Sequence, residues 1–122
     1  MAKPRRNPER EDRIREEIIA DAYGPEERAM GWYYYLEGKI RFPFHAQCIA
    51  SLPTSPLRKG DSVEVRRLAT EDTCSKDMLV MTRCNRRNIA VPLSQLRPID
   101  VDESTIQAIE DWHYWIAQGK VF

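Results

Sequence analysis

The chain has 122 residues, which is long enough for one domain with a hydrophobic core but too short for two independent ones. Basic and acidic residues number 19 each, and this balance disfavours a general nucleic-acid-binding protein, which usually carries excess positive charge. No apolar run approaches the roughly 20 residues that cross a bilayer, and the basic N-terminus lacks the apolar stretch of a secretory signal. Cys48, Cys74 and Cys84 form no CxxC pair, which favours a reduced, cytoplasmic protein without disulfides.

The first residues of the chain predict an arm followed by a helix. Residues 1–8 are rich in Pro and Arg and are predicted to be disordered, whereas residues 9–122 are predicted to form a single domain. Ile14 and Ile18 recur at helical spacing among charged residues, which predicts an amphipathic helix over about 8–22.

A second helix is predicted from about Pro25 to Leu36. Pro25 suits the first position of a helix, where its missing N–H would have no partner, and Gly38 is a natural terminator. The aromatic run from Trp32 to Tyr35 is too dense for one helix stripe, so another element has to cover part of it.

The middle of the chain alternates apolar and polar residues, which is typical of strands. The first predicted strand covers residues 42–48, and Pro43 places it at an edge of the sheet or close to its own start. The remaining predicted strands are Ser62 to Val65, Met78 to Thr82, Ile89 to Leu93 and the end of the segment PLSQLRPI, after one helical turn. An acidic loop, 71–77, and a basic turn, 84–88, connect three of them.

These elements favour an α+β fold, a small SH3-like β-barrel flanked by two N-terminal helices and one C-terminal helix. About five short strands with a one-turn helix before the last are typical of such barrels, and an OB-like barrel or another small α+β sheet is the alternative. The C-terminal helix begins after the capping groups at 102–104, and Ile106 and Ile109 share its apolar face. We expect the terminal helices to pack on each other or on the barrel.

The sequence gives no support for catalysis, and we predict that the protein is not an enzyme. His45 and His113 are the only histidines, and neither belongs to a ligand-spaced pair, so both are interpreted as structural. A glycine-rich phosphate loop is also missing from the sequence.

Carboxylates cluster at the ends of the predicted elements. Calcium takes six to eight oxygen ligands at irregular angles, and loops rich in Asp and Glu supply them. The alternative interpretation is that these residues are helix caps and solvated surface, and no stretch matches an EF-hand loop. The clustered residues are Asp21, Glu26, Glu27, Glu37, Glu71, Asp72, Asp77, Asp100, Asp102, Glu103, Glu110 and Asp111.

A basic turn offers a second kind of site. Arg83, Arg86 and Arg87 occupy the predicted turn, and Arg66 and Arg67 lie on a neighbouring strand. The hairpin from Arg83 to Arg87 is able to engage a protein or a nucleic acid in the manner of an SH3-like or OB-like module. The alternative is an edge that only discourages aggregation between strands.

Several segments resemble one known family. The pieces GWYYYLE, AVPLSQL and DWHYW, within a likeness that extends from Arg13 to Gly119, are similar to the calcium-binding protein family first known from cyanobacteria, the CcbP type. The resemblance implies a small cytoplasmic calcium-binding buffer or sensor with a barrel-like β core, no EF-hand and no enzymatic activity.

With calcium implied by this resemblance, the acidic loop and the segment 99–104 are the expected sources of ligands. Lys76 departs from the acidic character of the family, and its ammonium group is expected to weaken cation binding. The calcium ion is the expected partner, a protein partner is the alternative, and neither nucleic acid nor membrane is expected. The predicted ligands are Glu71, Asp72, Asp77, Asp100 and Asp102, with Glu37 as the next candidate.

Overall fold

The computed structural model describes residues 5–53 and 55–120, and the elements below are numbered in chain order. The helices are α1 (Pro8–Arg13), α2 (Pro25–Lys39) and α3 (Glu103–Ala117). The strands are β1 (Phe44–Cys48), β2 (Ser62–Leu68), β3 (Leu79–Cys84), β4 (Arg87–Pro92) and β5 (Leu96–Ile99). None of the helices in this described part is long and apolar enough to span a membrane.

The five strands form one antiparallel sheet in the order β4-β3-β2-β1-β5, which confirms the predicted α+β class. β4 and β5 are its two edges and do not pair within the described residues, so the expected SH3-like barrel is not confirmed. β1 begins directly after Pro43, which agrees with the expectation that Pro43 lies close to the start of this strand, and β1 lies inside the sheet rather than at an edge. The expected helical turn before the last strand is present as a 3₁₀ turn, Leu93–Gln95.

The first helix is shorter than predicted. α1 ends at Arg13 and passes into a π-helical turn, Ile14–Ile18, in which the Ile19 N–H donates to the Ile14 carbonyl at 2.9 Å. This wider turn packs against α2 at Gly31, where a Cβ atom would overlap the Ile18 carbonyl oxygen. The helical periodicity of the sequence does not reveal a π-helical turn, because this turn keeps the apolar residues on one face.

The second helix is longer than predicted. Gly38 does not terminate α2, which continues to Lys39 and ends where Ile40 adopts an extended conformation with ψ 130°. The Ile40 side chain is buried, and its N–H still donates to the Leu36 carbonyl at 2.9 Å. Burial of such a side chain is worth roughly 1.5–3 kcal/mol, which exceeds the cost of about 1 kcal/mol for a glycine within a helix.

Tryptophans join α2 to α3. The Trp32 ring lies 5.0 Å from the Trp112 ring and 5.5 Å from the Trp115 ring, measured between centroids. All three side chains are buried, so the helices pack on each other through aromatic contacts that add about 0.5–1.5 kcal/mol each to the burial of area.

A buried carboxylate attaches α1 to this pair of helices. The Asp111 side chain on α3 is fully buried and accepts two hydrogen bonds from Arg13, at 2.6 and 2.9 Å. The Tyr35 hydroxyl donates to it at 2.8 Å, and Arg10 forms an ion pair with it at 3.3 Å. Both oxygens of Asp111 are therefore used within the fold.

The expected disordered arm falls partly on residues 1–4, which lie outside the described residues. Asn7 belongs to the described part and caps α1, since its Oδ1 accepts from the Arg10 N–H at 3.1 Å. Its own N–H donates to the Tyr114 hydroxyl at 3.0 Å, which holds the start of α1 against α3.

Candidate metal centre

The acidic loop after β2 is anchored by a buried cysteine. Its 3₁₀ turn, Thr73–Ser75, begins where the Thr70 carbonyl accepts from the Cys74 N–H at 3.0 Å. The Cys74 thiol is buried and donates to the Leu79 carbonyl at 3.5 Å. Because Cys74 faces the core, the preceding carboxylates at 71 and 72 are left on the exposed side of the loop.

Helix α2 forms the opposite wall of a groove. Pro25 starts the helix, and Glu26 and Tyr33 are seven residues apart, which places them two turns along one face. That face meets the acidic loop across a groove of about 310 Å³. The groove is lined by Glu26, Ala29, Met30, Tyr33, Glu71, Asp72 and Cys74.

Tyrosines connect Glu71 to α2. The Tyr34 hydroxyl donates to Glu71 Oε1 at 2.9 Å, and this hydrogen bond, followed by partial burial and the charges of Glu71 and Glu37, raises the pKa of Tyr34. Burial and then the charge of Glu37 raise the pKa of the neighbouring Tyr33. Glu37 therefore acts on the same pair of tyrosines as Glu71.

Asp77 closes the acidic loop in a different environment. Its side chain is half-buried, and this burial raises the pKa of Asp77, partly offset by the backbone N–H of Met78. The negative charge of Asp77 also contributes to the raised pKa of the Cys74 thiol, behind the burial of that thiol. Asp77 therefore lies near Cys74.

Asp100 and Asp102 lie in a separate groove at the start of α3, together with Arg41 and His45. Asp102 is the N-cap of α3, and its carboxylate accepts from the Thr105 hydroxyl at 2.5 Å and from the Thr105 N–H at 3.4 Å. These hydrogen bonds lower the pKa of Asp102. Its oxygens are thus already engaged in capping, and the nearby arginine opposes a second cation.

The structure thus separates the predicted ligands: two grooves each hold a pair of them, and Asp77 lines neither groove. Glu71 and Asp72 share one groove, with Glu37 acting on its tyrosines, whereas Asp100 and Asp102 share the other. Within residues 5–53 and 55–120 no three His, Cys, Asp or Glu side chains converge closely enough to hold a metal ion together. The ligand set therefore stays a prediction.

One groove carboxylate was missing from the predicted ligand set. Glu26 lies in the first turn of α2, where a carboxylate complements the positive end of the helix dipole, so its position is explained without a ligand. The signal that points to the groove is its spacing of seven residues from Tyr33, which places both on the face that meets the acidic loop.

The two histidines lie in different environments. His113 Nε2 lies 2.9 Å from the Leu96 carbonyl oxygen, and burial lowers the pKa of His113. His45 is exposed on β1, where its Cα pairs with those of Glu64 and Ile99. Neither ring has a hydrogen-bonded cysteine or serine nucleophile within the described part of the chain.

Comparison with known proteins identifies the family. A family model described as calcium binding, CcbP, matches residues 12–116. The chain belongs to the CcbP calcium-binding family. This confirms the resemblance seen in the sequence.

Solved structures of the CcbP family share the whole fold. The crystal structure of Anabaena CcbP superposes with a TM-score of 0.88 at 42% sequence identity, and the match covers 100% of both chains. A calcium-binding protein solved in its calcium-binding form also gives a TM-score of 0.88, at 41% identity and with 100% of both chains covered. No curated protein matches the chain.

Proposed function

We propose that this protein binds calcium ions in the groove between α2 and the acidic loop, and that it acts as a non-enzymatic buffer or sensor in the cytoplasm. One observation carries the proposal: the fold brings Glu26, Glu71 and Asp72 to a single groove from two separate elements. Membership of the CcbP family, and a relative in its calcium-binding form at 41% identity, support Ca²⁺ as the ion.

The groove supplies the donors that calcium prefers. Carboxylate, hydroxyl and carbonyl oxygens are hard ligands, and calcium accepts them at irregular angles without an EF-hand loop. Glu71 and Asp72 would hold the ion, and Glu26 would approach it from the opposite wall. When bound, the ion would supply the positive charge that offsets the repulsion among these carboxylates. Water would complete the coordination, since the described side chains do not converge on one point.

Two residues are expected to set the affinity. The Tyr34 hydroxyl holds one oxygen of Glu71 at 2.9 Å, so this hydrogen bond competes with an ion for that oxygen. Lys76 is exposed in the same loop, and its positive charge disfavours a second cation nearby. Both features predict a weaker site than a groove lined by carboxylates alone would provide.

The test is calorimetric titration of calcium into metal-free protein, with thermal unfolding measured in parallel. The wild type is expected to release or absorb heat and to gain Tm, because an ion that binds only the folded state stabilises it. The double variant Glu71→Gln/Asp72→Asn should lose both effects. Asp100→Asn, in the other acidic groove, is the matched control and should retain them.

Two results would overturn the proposal. One is a wild type that shows neither heat nor a Tm change at millimolar calcium. The other is loss of binding in Asp100→Asn with full binding in the double variant, which would place the ion at the start of α3.

A second candidate function rests on the β3–β4 hairpin. Arg83, Arg86 and Arg87 are exposed there and form no ion pair with the described part of the chain. The strand order, with a helical turn before β5, supports an SH3-like binding module that engages a protein or a nucleic acid through this hairpin. This function would be supported if the protein binds a single-stranded oligonucleotide in a salt-sensitive way and if Arg86→Ala and Arg87→Ala weaken the binding. Binding that these changes leave unaffected would exclude the hairpin as the site.

A further inference from the structure

A further groove of the described structure lies between β5 and α3. It has a volume of about 710 Å³. Cavities that bind small organic molecules commonly measure 300–1,000 Å³ and have mostly apolar walls. This groove shares no lining residue with the groove between α2 and the acidic loop.

The walls of this groove expose aliphatic side chains. Ile49, which follows β1, is 39% exposed, and Ile106 on α3 is 36% exposed. Ile109 and Leu96 contribute buried surface between them. Single exposed apolar residues are common, whereas here two exposed isoleucines from different elements line the same groove.

The rim of the groove carries positive charge that the protein does not neutralise. Arg97 donates a hydrogen bond only to the neutral side chain of Gln47, at 2.8 Å, and Arg5 has no carboxylate at ion-pair distance in the described structure. The one carboxylate in the lining, Glu110, is already paired with Arg10 at 3.4 Å. An anionic group therefore finds donors at this rim, next to an apolar surface.

The edge of β5 is poorly suited to another strand. The Leu96 carbonyl oxygen is 2.9 Å from His113 Nε2, and Pro98 has no N–H to donate. This edge is therefore unfavourable for pairing with an extended peptide, which favours a ligand held by apolar contacts and charge over one held by its backbone.

We infer that the groove between β5 and α3 binds a small amphiphilic carboxylate, with its hydrocarbon portion against Ile49 and Ile106 and its carboxylate at Arg97. Arg5 supplies a second positive charge at the same rim. A guanidinium and a carboxylate form charge-assisted hydrogen bonds, and burial of the ligand's methylene groups against the isoleucines adds to the affinity.

The experiment is titration of sodium decanoate, below its micelle concentration, into calcium-free full-length protein. Saturable binding is expected, and Arg97→Gln should weaken it about fivefold, the effect of losing one exposed ion pair. Ile106→Gln should weaken it similarly through lost apolar contact. Arg87→Gln removes the same charge from the distant hairpin and is the control, with unchanged affinity expected. Far-UV circular dichroism and Tm would confirm that each variant is folded.

Several results would overturn this inference. They are no binding of decanoate by the wild type, equal binding of decanol, or the same loss in Arg87→Gln as in Arg97→Gln. Dimers in sedimentation analysis that Ile106→Gln dissociates would assign the groove to a second copy of the chain. Binding only after deletion of residues 1–4 would assign it to that segment of the chain.

Discussion

Adjacent residues of α2 donate hydrogen bonds to two carboxylates in opposite environments. Tyr35 donates to Asp111 at 2.8 Å, and Tyr34 donates to Glu71 at 2.9 Å. Asp111 is fully buried and also holds Arg13 and Arg10, so its oxygens are occupied. Glu71 is exposed, and among the described residues its only hydrogen bond is the one from Tyr34.

This difference separates a structural carboxylate from one that is able to bind an ion. Asp111 receives its compensating positive charge from the chain itself, through the two arginines. Glu71 and Asp72 are exposed where no arginine or lysine forms an ion pair with them in the described structure, so the cation that we propose would offset their repulsion. The two carboxylates therefore differ in whether the chain itself provides a positively charged partner.

The largest expected effect is on the structural side of this comparison. Asp111→Asn leaves the guanidinium of Arg13 largely buried without a negative partner, which should cost about 3 kcal/mol of unfolding free energy and lower Tm by roughly 10 °C. Urea denaturation would measure it. Glu110→Gln is the control, because that side chain is 57% exposed and its pair with Arg10 should be worth about 0.5 kcal/mol. Equal losses in both variants would contradict the special role of Asp111.

The second largest expected effect concerns the groove between α2 and the acidic loop, where we propose that calcium binds. At a calcium concentration 100 times the dissociation constant, binding stabilises the wild type by about 2.7 kcal/mol. Glu71→Gln/Asp72→Asn should lose this increment while matching the wild type without calcium. Thermal unfolding with and without calcium would measure both quantities. A large loss of stability without calcium would show instead that these carboxylates support the fold.

Asp77 lies between the two cases, since it is half-buried without a counter-charge. Burial raises the pKa of Asp77 in the folded state above its unfolded value, so the folded state loses relative stability as pH rises through that folded pKa. At pH 7 and without calcium, Asp77→Asn should therefore unfold at a slightly higher temperature than the wild type. Below the unfolded pKa of about 3.9 the two proteins should have similar Tm values. A lower Tm for the variant at pH 7 would show that the ionised form is stabilised.

The smallest effect is a change in the titration of Tyr34. The hydrogen bond to Glu71 raises the pKa of the Tyr34 hydroxyl, and an ion bound to Glu71 should reverse this by taking the accepting oxygen and neutralising the charge. In an alkaline titration followed by the absorbance of tyrosinate, Tyr34 should therefore ionise at a lower pH when calcium is present. Tyr34→Phe identifies the contribution of this residue. A titration that calcium leaves unchanged would indicate that Glu71 is not a ligand.

The sequence predicts the elements better than it predicts the site. Strands, the helical turn before β5 and α3 follow from local alternation and capping, which act between near neighbours. The open edges of the sheet depend on pairings between distant strands, so spacing along the chain could not exclude a closed barrel.

The site depends on contacts that are remote in sequence. Glu26 and Glu71 line the same groove because α2 packs against the acidic loop, and neither segment alone carries a sign of the other. Asp102 looks like a ligand in an acidic stretch, whereas its hydrogen bonds to Thr105 make it a cap. The resemblance to a calcium-binding family indicates which ion to expect, and the fold indicates which groove to test.

Gly31 illustrates a requirement of the fold that does not depend on the carboxylates proposed to bind calcium. The carbonyl of Ile18 occupies the volume in which any side chain at position 31 would begin, so this crossing accepts a hydrogen atom and nothing larger without displacement. That requirement is steric and has no connection with charge. A descendant that retained Gly31 but exchanged Glu71 and Asp72 for neutral residues would still assemble the same scaffold, and the fold could then outlast its ligand.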